Sequence, residues 1–587
     1  MRSETGETRA MLKCTVGGGQ VRFDGECAPV VPRGETLSVD LASGGHWYGH
    51  GFSHVQPYPL SAGTVVNAAF AVNNIQCPAW MCSAGWVLFA ETLEVLDVRI
   101  NEEGDGLLRV RCDAADFPLR VFRGATLPDA HGRFLSHIGW PNTPPDARLL
   151  ADSIFCTWTQ FPRCITEERI LDMAREIRAR DYPCSTIIID DRWESCFGEL
   201  AFSSGFPDPR AMVSRLHALG FSVWLWATPF VNEEAATFAD LARRRVLVPT
   251  RDGAGAAMLR WWGGTAGLVD LTSPQGRAWF RERLLYLKNE IGIDGFKIDG
   301  GDFKYQPPPA GAAWHEYKGP SGYADALLSL FEEIAPNACE TRTAWLSQKR
   351  SIVWREGGKD SHWGIDNGLA ALVTLALHIA LLGYDTLIPD MVPGRVQTMS
   401  KDFPLPTDEL MVRWTECSAL MPIIQFSYFP WNYAAATEEA VLGLARLHKA
   451  LGPYIAASAA DRRAPLVRPL WYDAPRVDAL YTVADEFMLG PDLVAAPVLS
   501  KGAAERDVVL PPGRWRDAWT GETISGGLHV RYPAPCPGMP VFVRARDDSL
   551  FTAAHSELSR ISRGSVPTGI TTTTYQAGLN RDLGVTG

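Results

Sequence analysis

The sequence of 587 residues lacks the features that mark membrane, secreted and metal-binding proteins. Its first residues, MRSETGETRAMLKC, contain no apolar core of a signal peptide, and the chain has no apolar run long enough to span a bilayer. The twelve cysteines form no CxxC pair and no Cys–His metal spacing. We therefore expect a cytoplasmic protein with free buried thiols and no membrane partner; the alternative is a secreted form without its leader.

Basic stretches are also missing. The formal net charge is −11, and no cluster of Lys and Arg offsets it, which argues against nucleic acid as a partner. The phosphate-binding GxxxxGK[ST] and zinc-binding HExxH patterns are absent, and the GGG at 17–19 has no helix after it. The sequence thus predicts no cofactor and no metal, and it gives no indication of oligomeric state.

The composition that remains is that of a large globular enzyme. Hydrophobic residues make up 46% of the chain and charged residues 21%, and the length predicts more than one domain. Tryptophan is abundant, at twenty residues. Such a count is typical of sugar-binding platforms, although many tryptophans serve only as core residues.

Residue patterns divide the chain into four regions. Residues 1–147 contain short β-runs broken by turns, which predicts a β-sandwich. Residues 148–460 alternate apolar strands with amphipathic helices, the pattern of a (β/α)8 TIM barrel with a buried parallel sheet. Residues 461–548 again read as a β-domain of the sandwich type, and residues 549–587 show no periodicity, which predicts a disordered tail.

The predicted barrel strands end in polar or aromatic residues. These are Trp158, Asp190, Asp191, Trp226 and Asp299. Because active sites of (β/α)8 barrels lie at the carboxyl ends of the strands, we expect these side chains to meet at one mouth.

The stretch GFKIDGGDFKY, residues 295–305, concentrates charge at one strand end. A buried carboxylate costs several kcal/mol unless it is paired, and Lys297 lies two residues from Asp299, on the same side of the strand. We expect Lys297 to keep Asp299 ionised, ready to act as a nucleophile, with the glycines admitting substrate. The alternative is a purely structural ion pair, and Asp302 is expected to cap the next turn.

Paired carboxylates and aromatic rings around this motif favour a sugar as the substrate. The candidate groups are Asp190, Asp191, Arg192, Trp193, Trp224, Trp226, Trp261, Trp262 and Trp354. Glycoside chemistry needs two acids, one that stabilises the cationic transition state and one that protonates the departing oxygen.

Several stretches resemble glycoside hydrolase family 31, in the branch of the myogenesis-regulating glycosidase and related α-galactosidases. They include PCSTIIIDDRWE, RWWGGTAGLVDLTSP, DGFKIDGGD, KDSHWGIDNGL, LLGYDTLIPDM and MPIIQFSYFPW, and they run from about residue 150 to about residue 525. The resemblance implies a retaining α-glycoside hydrolase with no cofactor, which forms a covalent glycosyl-aspartate intermediate. It also implies an N-terminal β-sandwich, a TIM barrel and C-terminal β-structure.

Site residues follow from the resemblance position by position. Asp299 is similar to the family's nucleophile. The residues that would bind the sugar are Asp190, Asp191, Trp226, Trp262, Lys297, Arg342 and Asp390.

The general acid/base is the point at which the sequence departs from the family. The branch reads D-x-D-S-x-W, with the first Asp sixteen residues after the arginine, and Gly358 occupies that position here. Three interpretations stay open: the motif register is shifted by two and Asp360 is the acid, Asp360 has taken over the role in a moved loop, or the protein lacks its acid. We expect Asp360, with Asp366 as an alternative.

The predicted substrate is a neutral α-linked hexoside, with an α-galactoside ahead of an α-glucoside or α-xyloside, because related barrels change sugar through a few pocket residues. The rival hypothesis is a catalytically weak or inactive carbohydrate-binding protein that lacks its acid at Gly358.

Overall fold

Three regions of regular structure follow one another in this computed structural model. It describes residues 12–21, 29–52, 55–141, 143–161, 165–395, 405–561 and 571–573. Within these residues no helix is both long and apolar enough to cross a membrane. The ten cysteines that the structure describes are all free thiols, and eight of them are buried.

The N-terminal region forms two antiparallel sheets that pack face to face. The sheet orders are β2-β1-β4-β10-β9-β6 and β3-β11-β8-β7-β5. The elements are β1 (Cys14–Val16), β2 (Gly19–Val21), β3 (Val30–Val31), β4 (Thr36–Asp40), β5 (Trp47–Gly51), β6 (Val65–Phe70), β7 (Gln76–Cys82), β8 (Trp86–Ala90), β9 (Leu96–Ile100), β10 (Leu107–Arg111), β11 (Phe117–Arg123) and α1 (Leu127–Ile138).

Strand β8 shows how the sandwich meets the rest of the molecule. All five of its residues are buried, because Leu88 packs inside the sandwich while Val87 and Phe89 join the core that contains the barrel. The N-terminal sheets are therefore packed against the barrel and not tethered beside it.

The central region forms a barrel of eight parallel strands, in the order β21-β20-β19-β18-β14-β13-β12-β22. A parallel bridge between Val392 and Phe426 brings its two ends together. The elements are β12 (Ser153–Cys156), α2 (Glu167–Ala179), β13 (Cys184–Ile189), α3 (Pro209–Ala218), β14 (Ser222–Ala227), β15 (Phe230–Asn232), α4 (Phe238–Arg243), β16 (Met258–Trp261), β17 (Gly264–Leu268), α5 (Pro274–Tyr286), β18 (Gly295–Ile298), α6 (Gly319–Ile334), β19 (Cys339–Thr341), β20 (Val353–Arg355), α7 (Leu369–Leu381), β21 (Leu387–Ile388), α8 (Asp408–Ala419), β22 (Gln425–Phe426) and α9 (Ala435–Asp461).

The predicted TIM barrel is thus confirmed, and its physical basis is visible in the strands. Every residue of β13 and β18 is buried, as expected of parallel strands with helices on the outside and side chains filling the inside. A small antiparallel sheet, β15-β17-β16, stands beside the barrel.

The C-terminal region forms two further antiparallel sheets, β23-β24-β25-β30-β27-β28 and β26-β29-β31. The elements are β23 (Val467–Arg468), β24 (Phe487–Leu489), β25 (Leu493–Ala495), β26 (Glu505–Leu510), β27 (Arg514–Asp517), β28 (Thr523–Ser525), β29 (Leu528–Pro533), β30 (Val541–Arg544), α10 (Asp548–Leu558) and β31 (Thr571–Thr573).

Helix α10 corrects part of the prediction for the tail. Its first backbone groups are capped by Asp547, which accepts a hydrogen bond from the amide of Leu550 at 2.9 Å. Phe551 and Leu558 are buried, and Ile561 packs closely on Gly443 of helix α9. The start of the predicted tail is therefore ordered, and most of the remainder lies outside the described residues.

Candidate active site

A cavity of about 540 Å³ opens at the carboxyl ends of the barrel strands. Its lining consists of Phe52, Asn74, Trp158, Asp190, Asp191, Arg192, Trp226, Trp262, Lys297, Asp299, Lys304, Tyr305, Arg342, Arg355, Gly357, Gly358, Asn367, Met391 and Arg395. Seven of the nine residues predicted for catalysis or sugar binding lie on it, and Asp360 and Asp390 do not.

Asp299 lies one residue beyond the end of β18 and accepts three hydrogen bonds. The donors are the indole of Trp226 at 3.2 Å, the amide of Gly300 at 2.9 Å and the guanidinium of Arg342 at 2.7 Å. Burial would raise the pKa of Asp299, but Arg342 and Arg355 hold it below its usual value. The carboxylate is therefore ionised and fixed in position at neutral pH.

The turn after Asp299 requires glycine. Gly300 and Gly301 have φ angles of +80° and +81°, and a Cβ on Gly300 would lie 2.8 Å from the ring of Phe230. This turn aims the Gly300 amide at Asp299.

Arg342 is held from three sides. Besides Asp299, it donates to both oxygens of the fully buried Asp302 at 2.8 Å and to the side chain of Asn74 at 2.9 Å. Asp302 also accepts from the backbone amide of Asn74, at 3.2 Å. Asp302 therefore positions Arg342 against Asp299, which replaces the expected role of turn cap.

The predicted partner of Lys297 is wrong. Its ammonium lies 2.7 Å from Asp190 and 3.6 Å from Glu340 of the neighbouring strand β19, and Asp299 pairs with Arg342 instead. The reason is that Asp299 lies past the end of β18, so that its side chain no longer follows the alternation of the strand. Lys297 thus forms an ion pair with Asp190 at the floor of the cavity.

Asp390 has a supporting position. It is fully buried and does not line the cavity. Its carboxylate accepts hydrogen bonds from the guanidinium of Arg355 at 3.0 Å and from the backbone amide of Lys359 at 2.6 Å. Arg355 also pairs with Glu340 at 3.1 Å. Asp390 therefore holds the segment after β20 in place, and direct contact with a sugar in this conformation is not supported.

Asp191 has the most unusual electrostatics in the cavity. Burial, followed by the charge of Asp190, raises the pKa of Asp191 to about 7, although Arg192 opposes the shift from 3.9 Å. Its carboxyl group is therefore poised between the neutral and charged forms near pH 7, and it can donate or accept a hydrogen bond to a sugar hydroxyl.

Aromatic rings form much of the remaining wall. Trp262, in the turn between β16 and β17, is 45% exposed, packs edge-on against Tyr305 and lies 5.5 Å from the guanidinium of Arg342. Trp158 and Trp226 also line the cavity. The other predicted aromatic faces, Trp193, Trp224, Trp261 and Trp354, are buried and do not line it.

The segment after β20 places Gly358, and not Asp360, on the cavity. The carboxylate of Asp360 pairs with Arg395 and accepts from the amide of Asn367 at 2.9 Å. Asp366 has a side chain that is 70% exposed and stands beside His362 outside the cavity lining.

A further carboxylate near this segment is Glu356, which is fully buried and ion-paired with Lys359 at 3.1 Å. It does not line the cavity either. Among the described residues, the lining carboxylates are Asp190, Asp191 and Asp299 alone.

Several lining residues were not predicted. Phe52 and Asn74 come from the N-terminal sandwich, and nothing in their local sequence indicates a site. Arg355 follows the rule that strand ends line the mouth, and Tyr305 and Lys304 belong to the quoted GFKIDGGDFKY stretch, so these three carried a usable signal. No group of three His, Cys, Asp or Glu suited to a metal occurs in the described part of the chain.

Family comparisons agree with this geometry. Residues 152–458 match the model of the glycosyl hydrolases family 31 TIM-barrel domain, and residues 463–546 match the C-terminal domain of the same family. The protein belongs to glycosyl hydrolase family 31. Residues 15–124 match the myogenesis-regulating glycosidase N-terminal domain, which places this family member beside that type of glycosidase.

Individual relatives show the range of the family. The chain is 30% identical over 531 residues to the myogenesis-regulating glycosidase of Mus musculus, covering 84% of this chain and 73% of the relative. It is 31% identical over 376 residues to the 1,3-alpha-isomaltosidase of Kribbella flavida, and that match covers 58% of this chain and 50% of the relative.

Solved structures show the same fold. A GH31 α-xylosidase from a soil metagenome, complexed with xylose, superposes with a TM-score of 0.76 at 21% identity, covering 95% of this chain and 87% of the other. The Flavobacterium johnsoniae GH31 dextranase complexed with glucose gives 0.75 at 19% identity, covering 87% and 66%.

Proposed function

We propose that this family 31 member is a retaining α-glycosidase in which Asp299 attacks the anomeric carbon. The attack gives a β-linked glycosyl-Asp299 ester, and water then releases the sugar with its α configuration restored. The single observation that carries the proposal is the environment of Asp299, an ionised carboxylate held by Arg342, Trp226 and Gly300 at the cavity wall.

The proposed sugar is a neutral hexose. Asp190 and Asp191 supply hydroxyl-binding oxygens, and Trp226 and Trp262 supply apolar faces against which a pyranose ring can pack. Galactose is our first choice, because of the resemblance to the α-galactosidase branch. Glucose and xylose are the alternatives, since relatives bear the names 1,3-alpha-isomaltosidase and alpha-xylosidase.

The position of Gly358 on the cavity favours the interpretation in which a general acid is missing, and the pairing of Asp360 with Arg395 supports it. Loss of such an acid typically removes about 10²- to 10⁴-fold in rate for poor leaving groups, but much less for good ones. We therefore propose an enzyme that cleaves activated α-glycosides well and simple disaccharides poorly. A carbohydrate-binding protein without turnover is the second candidate, and it has the same observation in its favour.

The test is hydrolysis of 4-nitrophenyl α-galactoside, α-glucoside and α-xyloside by the wild-type protein and by Asp299→Ala. We expect Asp299→Ala to abolish release of nitrophenol, and a fluorinated α-glycosyl fluoride to leave a covalent sugar on the peptide that contains Asp299, detected by mass spectrometry. Asp294→Asn, at the other end of β18, is the matched control. Sugar binding by calorimetry with no turnover of any aryl glycoside would favour the binding protein instead.

A further inference from the structure

We propose that the leaving-group side of this cavity accepts an anion, and that the donor substrate is an α-glycosyl phosphate. The inference rests on the proposed function, because it keeps Asp299 as the nucleophile. It concerns the leaving group of the substrate, whose chemical identity the family assignment leaves open.

Barrel topology separates the two sides of the nucleophile. In the strand order, β18 with Asp299 has β13 two strands away in one direction and β20 two strands away in the other. The acidic pair Asp190 and Asp191 follows β13, whereas Gly358 follows β20. A substrate against Asp299 therefore has its sugar hydroxyls toward the acidic pair and its leaving group toward Gly358.

The leaving-group side carries hydrogen-bond donors and no acid. A Cβ built on Gly358 would lie 3.9 Å from the ring of Trp158 and 4.0 Å from Cδ of Arg395, so the guanidinium arm borders the space that an acidic side chain would fill. The amide of Asn367 is already engaged, because it donates to the carbonyl of Gly358 at 3.0 Å and to Asp360 at 2.9 Å, so the donor on this side is the guanidinium of Arg395. A departing alkoxide finds no proton donor here, but a glycosyl phosphate monoanion brings its own proton and leaves as HPO4²⁻.

Charge around the mouth points the same way. Arg395, whose side chain is 33% exposed and pairs with Asp360, borders Gly358 on the leaving-group side. Arg192, which is 54% exposed and 3.9 Å from Asp191, and the exposed Lys304 add positive charge elsewhere on the lining. Two of the three lining carboxylates are offset by close ion pairs, Asp190 with Lys297 and Asp299 with Arg342. Arginine is well suited to phosphate, because its planar donors match two oxygens at once.

The reaction balances without any further reagent. The substrate reacts as its monoanion, which already carries one proton on a phosphate oxygen. An oxygen of Asp299 bonds to the anomeric carbon, the bond from that carbon to the bridging phosphate oxygen breaks, and the phosphate leaves with the electron pair as HPO4²⁻. Water then attacks the same carbon, the ester bond to Asp299 breaks, and the proton of the water passes to phosphate or solvent. The products are the free sugar and inorganic phosphate.

The experiment compares three donors that carry the same sugar: α-galactose 1-phosphate, 4-nitrophenyl α-galactoside and an α-linked galactosyl disaccharide, repeated with the glucose series. We expect kcat/KM for the phosphate to exceed that for the disaccharide by about 100-fold or more, the size of a missing general acid. A nucleoside diphosphate hexose is assayed in parallel, and faster turnover of it than of the phosphate overturns the choice of a free phosphate monoester.

Arg395→Gln isolates the anion site. We expect kcat/KM to fall about tenfold or more for the glycosyl phosphate, and several-fold less for the nitrophenyl glycoside, because a charge-assisted contact to phosphate is lost. Arg395→Lys should recover part of the loss, and Arg175→Gln, at an exposed ion pair on α2, is the control. An equal fall for both donors would mean that Arg395 acts only through folding.

A second measurement needs no variant. During turnover of the nitrophenyl glycoside, added inorganic phosphate should compete with water and give an α-glycosyl phosphate, visible by phosphorus NMR. Asp299-dependent cleavage of the nitrophenyl glycoside with no phosphate release and no phosphate trapping refutes this inference and leaves the proposed function intact. Absence of nitrophenyl cleavage refutes both.

Discussion

Replacing Gly358 by aspartate should convert the protein into an efficient disaccharide hydrolase. The site has room for the side chain: the nearest atoms to a new Cβ are 3.9 and 4.0 Å away, which is ordinary contact, and Gly358 is not among the glycines with positive φ. The substitution therefore adds an acid without distorting the segment after β20.

The expected gain follows from the leaving group. A positioned acid contributes about 10²- to 10⁴-fold when the leaving group is a sugar hydroxyl, or about 2.7 to 5.4 kcal/mol of barrier at 1.36 kcal/mol per tenfold. Nitrophenol needs little protonation, so kcat/KM for the aryl glycoside should change by less than about tenfold. Initial rates on an α-linked disaccharide and on the matching nitrophenyl glycoside measure both effects.

Two comparisons can refute this reasoning. Gly358→Asn has nearly the same size but no proton to give, so an equal gain with asparagine would mean that filling space, and not acid catalysis, raised the rate. Rapid disaccharide cleavage by the wild-type protein that Asp360→Asn abolishes would identify Asp360 as the acid and leave nothing for the new aspartate to restore.

Three further predictions concern the groups around Asp299. Since the pKa of Asp191 is raised from 3.8 to about 7, the fold loses stability as pH rises from about 4 to about 7. Asp191→Asn should therefore raise the thermal unfolding temperature at pH 8, by an amount worth at most about 4 kcal/mol, and should raise it less at pH 5. A gain that is the same at both pH values would contradict the assignment. Asp302→Asn should lower kcat/KM on the aryl glycoside about tenfold or more, because one charged partner of Arg342 is lost; unchanged kinetics would show that Asp299 and Asn74 suffice. Asn74→Ala should lower the same constant by several-fold, whereas Asn67→Ala on β6 should not, and equal values for the two variants would exclude a role of the sandwich in the site.

Local pattern predicted the barrel and much of its mouth because strand ends of a parallel sheet share one edge. Asp190, Trp226 and Asp299 were placed correctly for that reason alone. Helix α10 was missed although its signal is present, with Asp547 as cap and buried residues spaced along one face of the helix. The prediction failed there because the run is short and follows a β-rich region.

The sequence could not predict which side chains of the site pair with one another. The alternation of β18 suggested that Lys297 would meet Asp299, but the nearest carboxylates to Lys297 come from β13 and β19, which are distant in the chain. The contribution of Phe52 and Asn74 has the same origin, since it depends on how the sandwich docks. Contacts of this kind are set by tertiary packing and leave no local pattern.

The hydrogen bonds that hold Arg342 link the site to the assembly of two regions of the chain. Its guanidinium is held by Asp302 from the barrel and by Asn74 from the sandwich, so the surroundings of Asp299, the proposed nucleophile, are complete only when both regions have folded and packed together. On the proposed function, full activity therefore requires that the sandwich is packed against the barrel. A barrel separated from the N-terminal sandwich, by proteolysis or by gene rearrangement, would keep every residue of the FKID motif but would lose the hydrogen bond from Arg342 to Asn74.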